Sequence, residues 1–95
     1  MSLSSHLSHP DVLVLDVRSP DECACCDGYV NAKNIPVGEV PKRFSECGPD
    51  KCRPIVCYCK AGVRAANAAS VLKQNGYTNV ISAPNADALR AATRK

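Results

Sequence analysis

The stretch "IVCYCKAGVRAANAASVLKQNGY", residues 55–77, decides the fold of this chain. Its first five residues, 55–59, form a short apolar run rich in β-branched side chains, which predicts a central strand. After a short loop, a segment rich in alanine predicts a helix over 63–75, and Asn75-Gly76 is a typical helix C-terminus. The stretch therefore predicts a strand, a tight loop and a helix in direct succession.

A second strand and helix are predicted nearer the amino end. "DVLVLDV", residues 11–17, is an almost continuous apolar run, typical of a strand that is covered on both faces. It is followed by Ser19 as a helix N-cap, Pro20 at the first helical position and Glu22 at the capping-box position. These residues predict a short helix over 20–26.

The remaining elements complete an alternating pattern. A helix is predicted within 38–47, a strand over 78–83 and a last helix over 86–95, whereas "GYVNAKNIPVGEV" at 28–40 has no regular pattern. Strands separated by helical crossovers predict an α/β fold with a parallel sheet and helices on both faces.

Composition limits the class of protein. The 95 residues are enough for one domain, 1–95, and we expect residues 1–10 to be a short polar arm in which His6 and His9 carry no chemistry. No apolar run reaches the ~20 residues of a membrane span, and no signal peptide is recognisable. A net charge of +3 and four aromatic residues favour a small anion over nucleic acid as the ligand. We expect a cytoplasmic monomer.

Seven cysteines require an explanation, and their odd number without a secretory signal argues against a disulfide framework. Cys23 and Cys26 have zinc-knuckle spacing, but a second knuckle is missing, so we expect no metal and no cofactor. All but Cys59 are interpreted as small buried or surface residues. Cys57 is predicted to pack in the core rather than act as a resolving thiol. The others are Cys23, Cys25 and Cys26, on a helix surface, and Cys47 and Cys52.

Cys59 stands at the carboxyl end of the predicted central strand, where parallel sheets bind ligands. The loop after it contains Gly62 and opens onto the unpaired N–H groups of a helix N-terminus. The helix dipole and the cations Lys60 and Arg64 favour a thiolate. The sequence thus predicts an ionised, accessible sulfur that acts as a nucleophile.

Three segments in order resemble the rhodanese-like sulfurtransferases: "LVLDVRSPDE", "GYVNAKNIP" and "IVCYCKAGVRAANAASVLKQNGYTNV". The resemblance implies a rhodanese-like α/β fold with a central parallel sheet of four to five strands, the lower number because residues 1–10 contain no obvious first strand. It further implies a sulfane sulfur carried as a persulfide on Cys59 and then passed to cyanide or a thiol. It also implies that Asp16 and Arg18 form the floor under the loop. The N–H groups that would surround the outer sulfur are those of Lys60, Ala61, Gly62, Val63 and Arg64.

Two other functions are open on this fold. Phosphatases and arsenate reductases place five residues between cysteine and arginine, but four separate Cys59 from Arg64, and the sixth residue after the cysteine is Ala65. This spacing resembles the tighter sulfurtransferase loop, and Lys60 favours a doubly charged donor such as thiosulfate. The other alternative is a catalytically silent module that holds an anion or a partner.

The chain also departs from the family pattern at two places. Tyr29 stands where the family usually has histidine, and Ala83-Pro84-Asn85 replaces a common glycine-glycine…tryptophan stretch. In the family, that stretch lines one side of the active-site mouth. We therefore expect a change in the choice of donor rather than in the fold.

Overall fold

The computed structural model describes residues 3–25, 28–29 and 31–93 and has a four-stranded parallel sheet. The strands are β1 (Leu13–Asp16), β2 (Lys33–Asn34), β3 (Ile55–Tyr58) and β4 (Val80–Ala83). Their order across the sheet is β2-β1-β3-β4, and every neighbouring pair is parallel. The predicted α/β architecture with four to five parallel strands is confirmed.

In the described part of the chain, five α-helices surround the sheet: α1 (Leu3–Ser8), α2 (Pro20–Cys25), α3 (Val40–Arg43), α4 (Val63–Gln74) and α5 (Ala86–Thr93). The helix predicted within 38–47 is instead a short α-helix between two 3₁₀ turns, because Pro41 lacks the N–H that a longer α-helix needs. Residues 94 and 95, predicted to continue α5, lie outside the described residues. Within the described ranges, no helix has the length and apolarity to cross a bilayer.

The two faces of the sheet are covered by different helices, as predicted. Side chains alternate along β3, so Ile55 and Cys57 point to one face while Val56 and Tyr58 point to the other. The first face packs against α3 and α4, and the second against α1 and α5. All four side chains of β3 are buried, which is the reason for its continuous apolar sequence.

The amino end differs from the prediction of a polar arm at 1–10. Leu3 and Leu7 lie one helical turn apart in α1 and pack against the core on the α5 face. His6 is buried, with its Nε2 atom 3.1 Å from the carbonyl oxygen of Asn79. The prediction was wrong because two leucines among serines and histidines gave too short an apolar pattern to recognise.

Strand β2 was also missed, since it has only two residues. Lys33 and Asn34 pair with the end of β1, and the Asn34 side-chain amide donates to the carbonyl oxygens of Asp16, at 2.8 Å, and Arg18, at 2.9 Å. These bonds fix the backbone that leaves β1 toward the functional edge of the sheet.

Candidate functional site

Three segments that leave the sheet converge at one edge, because the strands are parallel and their carboxyl ends meet there. Cys59 directly follows β3, Asp16 is the last residue of β1, and Pro84 directly follows β4. Residues from three sequence-distant segments are thus brought to one place.

The loop from Cys59 into α4 wraps around the cysteine sulfur. Gly62, at φ +103°, turns the chain so that its N–H donates to Cys59 Sγ at 3.0 Å. This conformation is costly for residues with a Cβ atom. Pro84 lies directly beside this turn. A Cβ atom on Gly62 would lie 3.4 Å from the Cα atom of Pro84, in van der Waals contact with it.

Backbone amides control the charge of this sulfur. Burial raises the pKa of the Cys59 thiol, but hydrogen bonds from the amides of Ala65, Gly62, Ala61 and Arg64 outweigh it, and the pKa lies below its usual value. Ala61, Gly62 and Arg64 belong to the predicted set of amides, Lys60 to Arg64, whereas Ala65, one residue further into α4, was not predicted.

The predicted exposure of the sulfur needs correction. Cys59 is only 2% exposed, because its side chain joins the core between the sheet and α4 while the loop closes over it. A reagent must therefore approach through the surrounding cleft rather than from open solvent.

Arg64 is not a free anion-binding group in this structure. Its guanidinium donates two hydrogen bonds to the carboxylate of Glu22, at 2.6 and 2.9 Å. Glu22 also accepts from the backbone N–H of Ser19 at 3.1 Å, so the predicted capping box of α2 is confirmed. The pKa of Arg64 is raised, first by Glu22 and also by the Cys59 sulfur. Sequence reasoning gave Glu22 only a capping role, since nothing local indicates a partner 42 residues away.

Asp16 and Arg18 form a buried ion pair on the α5 side of the site. Arg18 Nη2 lies 2.6 Å from Asp16 Oδ2, and the same oxygen accepts from the Tyr58 hydroxyl at 3.0 Å and from the Cys23 thiol at 3.2 Å. Burial raises the pKa of Asp16, but these donors, Arg18 foremost, bring it below its usual value. The pair is a fixed, charged support beneath the site.

The other cysteines with described side chains fall into three environments. Cys23 is half-buried against Asp16, so its prediction as a helix-surface residue was wrong; burial and the carboxylate raise its pKa to about 11. Cys47 and Cys57 are buried in the core, as expected, and burial raises the pKa of Cys57 to about 12. Cys52 is exposed. The side chain of Cys25 and the whole of Cys26 lie outside the described residues.

A cleft of about 390 Å³ borders the site on the α5 side. Cys59, Lys60 and Arg18 line it together with Arg90 of α5. Its remaining lining residues are Tyr58, Asn85, Ala86 and Asp87. The contribution of α5 to the cleft was not predicted, because the basic residues of this helix were interpreted only as a complement to the helix dipole.

The two departures from the family pattern lie close to this cleft. The N–H of Tyr29 donates to the Tyr58 hydroxyl at 2.8 Å, so the backbone at this position supports the Asp16 cluster. Asn85 caps α5 by accepting from the N–H of Ala88 at 2.8 Å. Of the Ala83-Pro84-Asn85 segment, Asn85 lines the cleft and Pro84 lies beside Gly62 of the loop.

Comparison with known proteins gives consistent matches. The rhodanese-like domain matches residues 2–83. A sulfurtransferase of Allochromatium vinosum is 39% identical over 83 residues, which cover 85% of this chain and 74% of that protein. The thiosulfate sulfurtransferase PspE of Escherichia coli is 36% identical over 69 residues, 73% of this chain and 65% of that protein.

A solved structure described as a rhodanese with anions from E. coli is also similar. It has a TM-score of 0.72 and 33% sequence identity, and the match covers 80% of this chain and 88% of that one. The rhodanese-like match ends at Ala83, so Asn85 and α5, which line the cleft, lie beyond it.

Proposed function

Because the chain belongs to the rhodanese-like domain family, we propose that it is a sulfurtransferase in which Cys59 carries a sulfane sulfur as a persulfide. One observation supports this mechanism above the others: backbone amides surround Cys59 Sγ and lower its pKa. A thiolate is the form of cysteine that attacks sulfur. The same amides would stabilise the negative charge on the outer sulfur of a persulfide.

In the first half of the reaction, the Cys59 thiolate attacks the outer sulfur of a small anionic donor such as thiosulfate. A bond forms between the two sulfur atoms, the sulfur–sulfur bond of the donor breaks, and sulfite leaves with the electron pair. Lys60, exposed at the cleft, would stabilise the charge of the departing sulfite. In the second half, a thiol or cyanide takes the sulfur and Cys59 is restored as a thiolate.

The proposal includes partners and surroundings. The chain acts as a monomer on small molecules, in a cytoplasmic compartment that keeps thiols reduced, with no nucleic acid, membrane or cofactor in the reaction. Cations that line the cleft, Lys60 and Arg90, support a preference for anionic substrates.

The intact mass of the reduced protein after treatment with thiosulfate tests this proposal. We expect a gain of one sulfur atom, loss of the gain on adding cyanide, and no gain for Cys59→Ala. Cys52→Ala is the matched control, because Cys52 is an exposed thiol that lies outside the site. This variant should gain sulfur like the parent. A gain that survives in Cys59→Ala would place the sulfur elsewhere and contradict the mechanism.

The near-complete burial of Cys59 favours a second candidate, a silent module that binds an anion without turnover. Such a module would bind thiosulfate in calorimetry but gain no mass at any donor concentration. A phosphatase would release phosphate from an aryl phosphate. We expect no release, because Arg64 follows Cys59 after four residues and is held by Glu22.

A further inference from the structure

We propose that Arg90 and Lys60 determine which thiol acceptors are used, because they line the cleft between Cys59 and α5 and would bind a carboxylate on the acceptor. This inference rests on the proposed sulfurtransferase function and adds the residues that select the acceptor. It concerns a helix that lies beyond the segment matched by the rhodanese-like domain.

The charges around the cleft favour an organic anion. Three cationic side chains line it, those of Arg18, Lys60 and Arg90. The charge of Arg18 is matched by Asp16 within a buried pair, which leaves Lys60 and Arg90 as the lining cations without a buried counter-charge. A carboxylate placed between them would gain charge-assisted hydrogen bonds.

Arg90 is already held at the rim in a suitable position. Its Nη1 donates to Asp87 Oδ1 at 2.6 Å, and its Nη2 donates to the carbonyl oxygen of Gly28 at 2.9 Å. The Asp87 side chain is 88% exposed, and such surface pairs contribute little because water competes for both partners. A ligand carboxylate can therefore take the place of Asp87 on the guanidinium.

The cleft is also larger than the space that a single bound sulfur atom would fill. The loop amides already surround Cys59 Sγ, whereas the cleft beside it holds about 390 Å³, within the range of small-molecule sites. Tyr58 and Ala86 give it apolar wall beside the polar rim. This arrangement suits a molecule with a short carbon body, a thiol at one end and a carboxylate at the other.

The transfer step balances without any further reagent. The acceptor thiolate attacks the outer sulfur of the Cys59 persulfide, and a new sulfur–sulfur bond forms on the acceptor. The bond between Cys59 Sγ and the outer sulfur breaks, and its electron pair returns to Cys59 as thiolate. The product leaves as the acceptor persulfide.

The test compares two acceptors that differ in the remote group: 3-mercaptopropionate, which carries a carboxylate, and 2-mercaptoethanol, which carries a hydroxyl. For each, kcat/KM is measured with thiosulfate as donor, and the ratio of the two values reports recognition of the carboxylate. We expect Arg90→Gln to lower this ratio about tenfold, the effect of losing one charge-assisted contact. Arg90→Lys should keep part of the ratio, since lysine retains the positive charge but lacks the paired N–H donors of the guanidinium.

Asp87→Asn separates recognition from a structural role. If Asp87 competes with the acceptor carboxylate for Arg90, Asp87→Asn raises the kcat/KM ratio about twofold or more. If the two substitutions acted only by destabilising α5, they would shift the ratio in the same direction. Equal ratios in the parent, Arg90→Gln and Asp87→Asn would overturn the inference. Absence of sulfur gain on Cys59 in the parent would instead show that the proposed function has failed, so the two failures are distinct.

Discussion

The carboxylate of Glu22 holds both terminal nitrogens of the Arg64 guanidinium, at 2.6 and 2.9 Å. Arg64 belongs to the loop that surrounds Cys59, whereas Glu22 lies in α2, which precedes it by 42 residues. A helix outside the loop thereby sets the net charge beside the sulfur. The same carboxylate caps its own helix through Ser19, which fixes its position.

This ion pair predicts that Glu22→Gln will strengthen the binding of anionic donors. Glutamine keeps the capping box and a hydrogen bond to Arg64 but removes a negative charge from the site. We expect the KM for thiosulfate to fall about two- to fivefold at low salt, and the difference to shrink at high salt. Steady-state kinetics at two ionic strengths measures both effects.

Glu46→Gln is the matched control for Glu22→Gln. Glu46 is a similarly exposed acid that pairs with Arg43 and Lys33, away from the cleft. The same change in KM in both variants would mean that overall charge, and not the Arg64 pair, sets donor affinity.

The amide ring predicts that Cys59 reacts at lower pH than an ordinary thiol. Its pKa is lowered, so the thiolate persists below the usual value of 9.0. Alkylation by iodoacetamide, followed at each cysteine by peptide mass spectrometry, should give Cys59 a midpoint below that value. A midpoint above it would show that burial outweighs the amides.

Gly62 carries the strain of the turn, so Gly62→Ala should destabilise the fold and the site together. The positive φ costs a residue with a Cβ atom about 1–2 kcal/mol, whereas the new atom itself would make only an ordinary contact with Pro84. Gly38→Ala is the control, because open space surrounds the position where the new Cβ atom would lie. The unfolding free energy of this variant should differ from that of the parent by less than about 1 kcal/mol. Chemical denaturation measures both, and equal losses would contradict the assignment of strain to Gly62.

Asp16 is predicted to be the most sensitive polar residue of the site. Asp16→Asn leaves Arg18 buried beside a neutral group, and losing one partner of a buried pair costs about 3–5 kcal/mol. Tyr58→Phe removes one donor to Asp16 and the acceptor of the Tyr29 N–H, and should cost about 2 kcal/mol. Denaturant titration of the two variants should preserve this order; a larger loss in Tyr58→Phe would mean that packing, not charge, dominates.

Cys57 predicts a stability change at alkaline pH. Burial raises its pKa from 9.0 to about 12, so the neutral thiol stabilises the fold fully below pH 9 and this stabilisation is lost as pH rises toward 12. The difference in unfolding free energy between the parent and Cys57→Ala should therefore shrink by about 1 kcal/mol between pH 8 and pH 10. A difference that stays constant over this interval would show that Cys57 does not titrate as a buried thiol.

Local patterns accounted for the elements at the centre of the molecule. The apolar run before Cys59 and the alanine-rich segment after it are contiguous, so the strand, the loop and α4 could be predicted together. The capping box of α2 was recognisable for the same reason, since Ser19 and Glu22 are three residues apart. The position of Cys59 at the end of that strand predicted a nucleophile, and the family resemblance added the proposed role of persulfide carrier.

The contacts that the sequence did not predict join residues far apart in the chain. Arg64 meets Glu22 across 42 residues, and Arg90 reaches the carbonyl of Gly28 across 62. No periodicity or spacing encodes such pairs, because they arise only when the sheet brings its edges together. The burial of His6 was missed for a related reason, since its partner Asn79 lies at the other end of the chain.

The division of the sheet into two covered faces has an evolutionary consequence. The sulfur-bearing loop continues into α4 on one face, while α5 borders the cleft from the other. If α5 selects the acceptor as proposed, substitutions in it would redirect the chain to a different acceptor while the loop around Cys59 stays intact. Selectivity and reactivity would then diverge separately, and an engineer would exchange one without rebuilding the other.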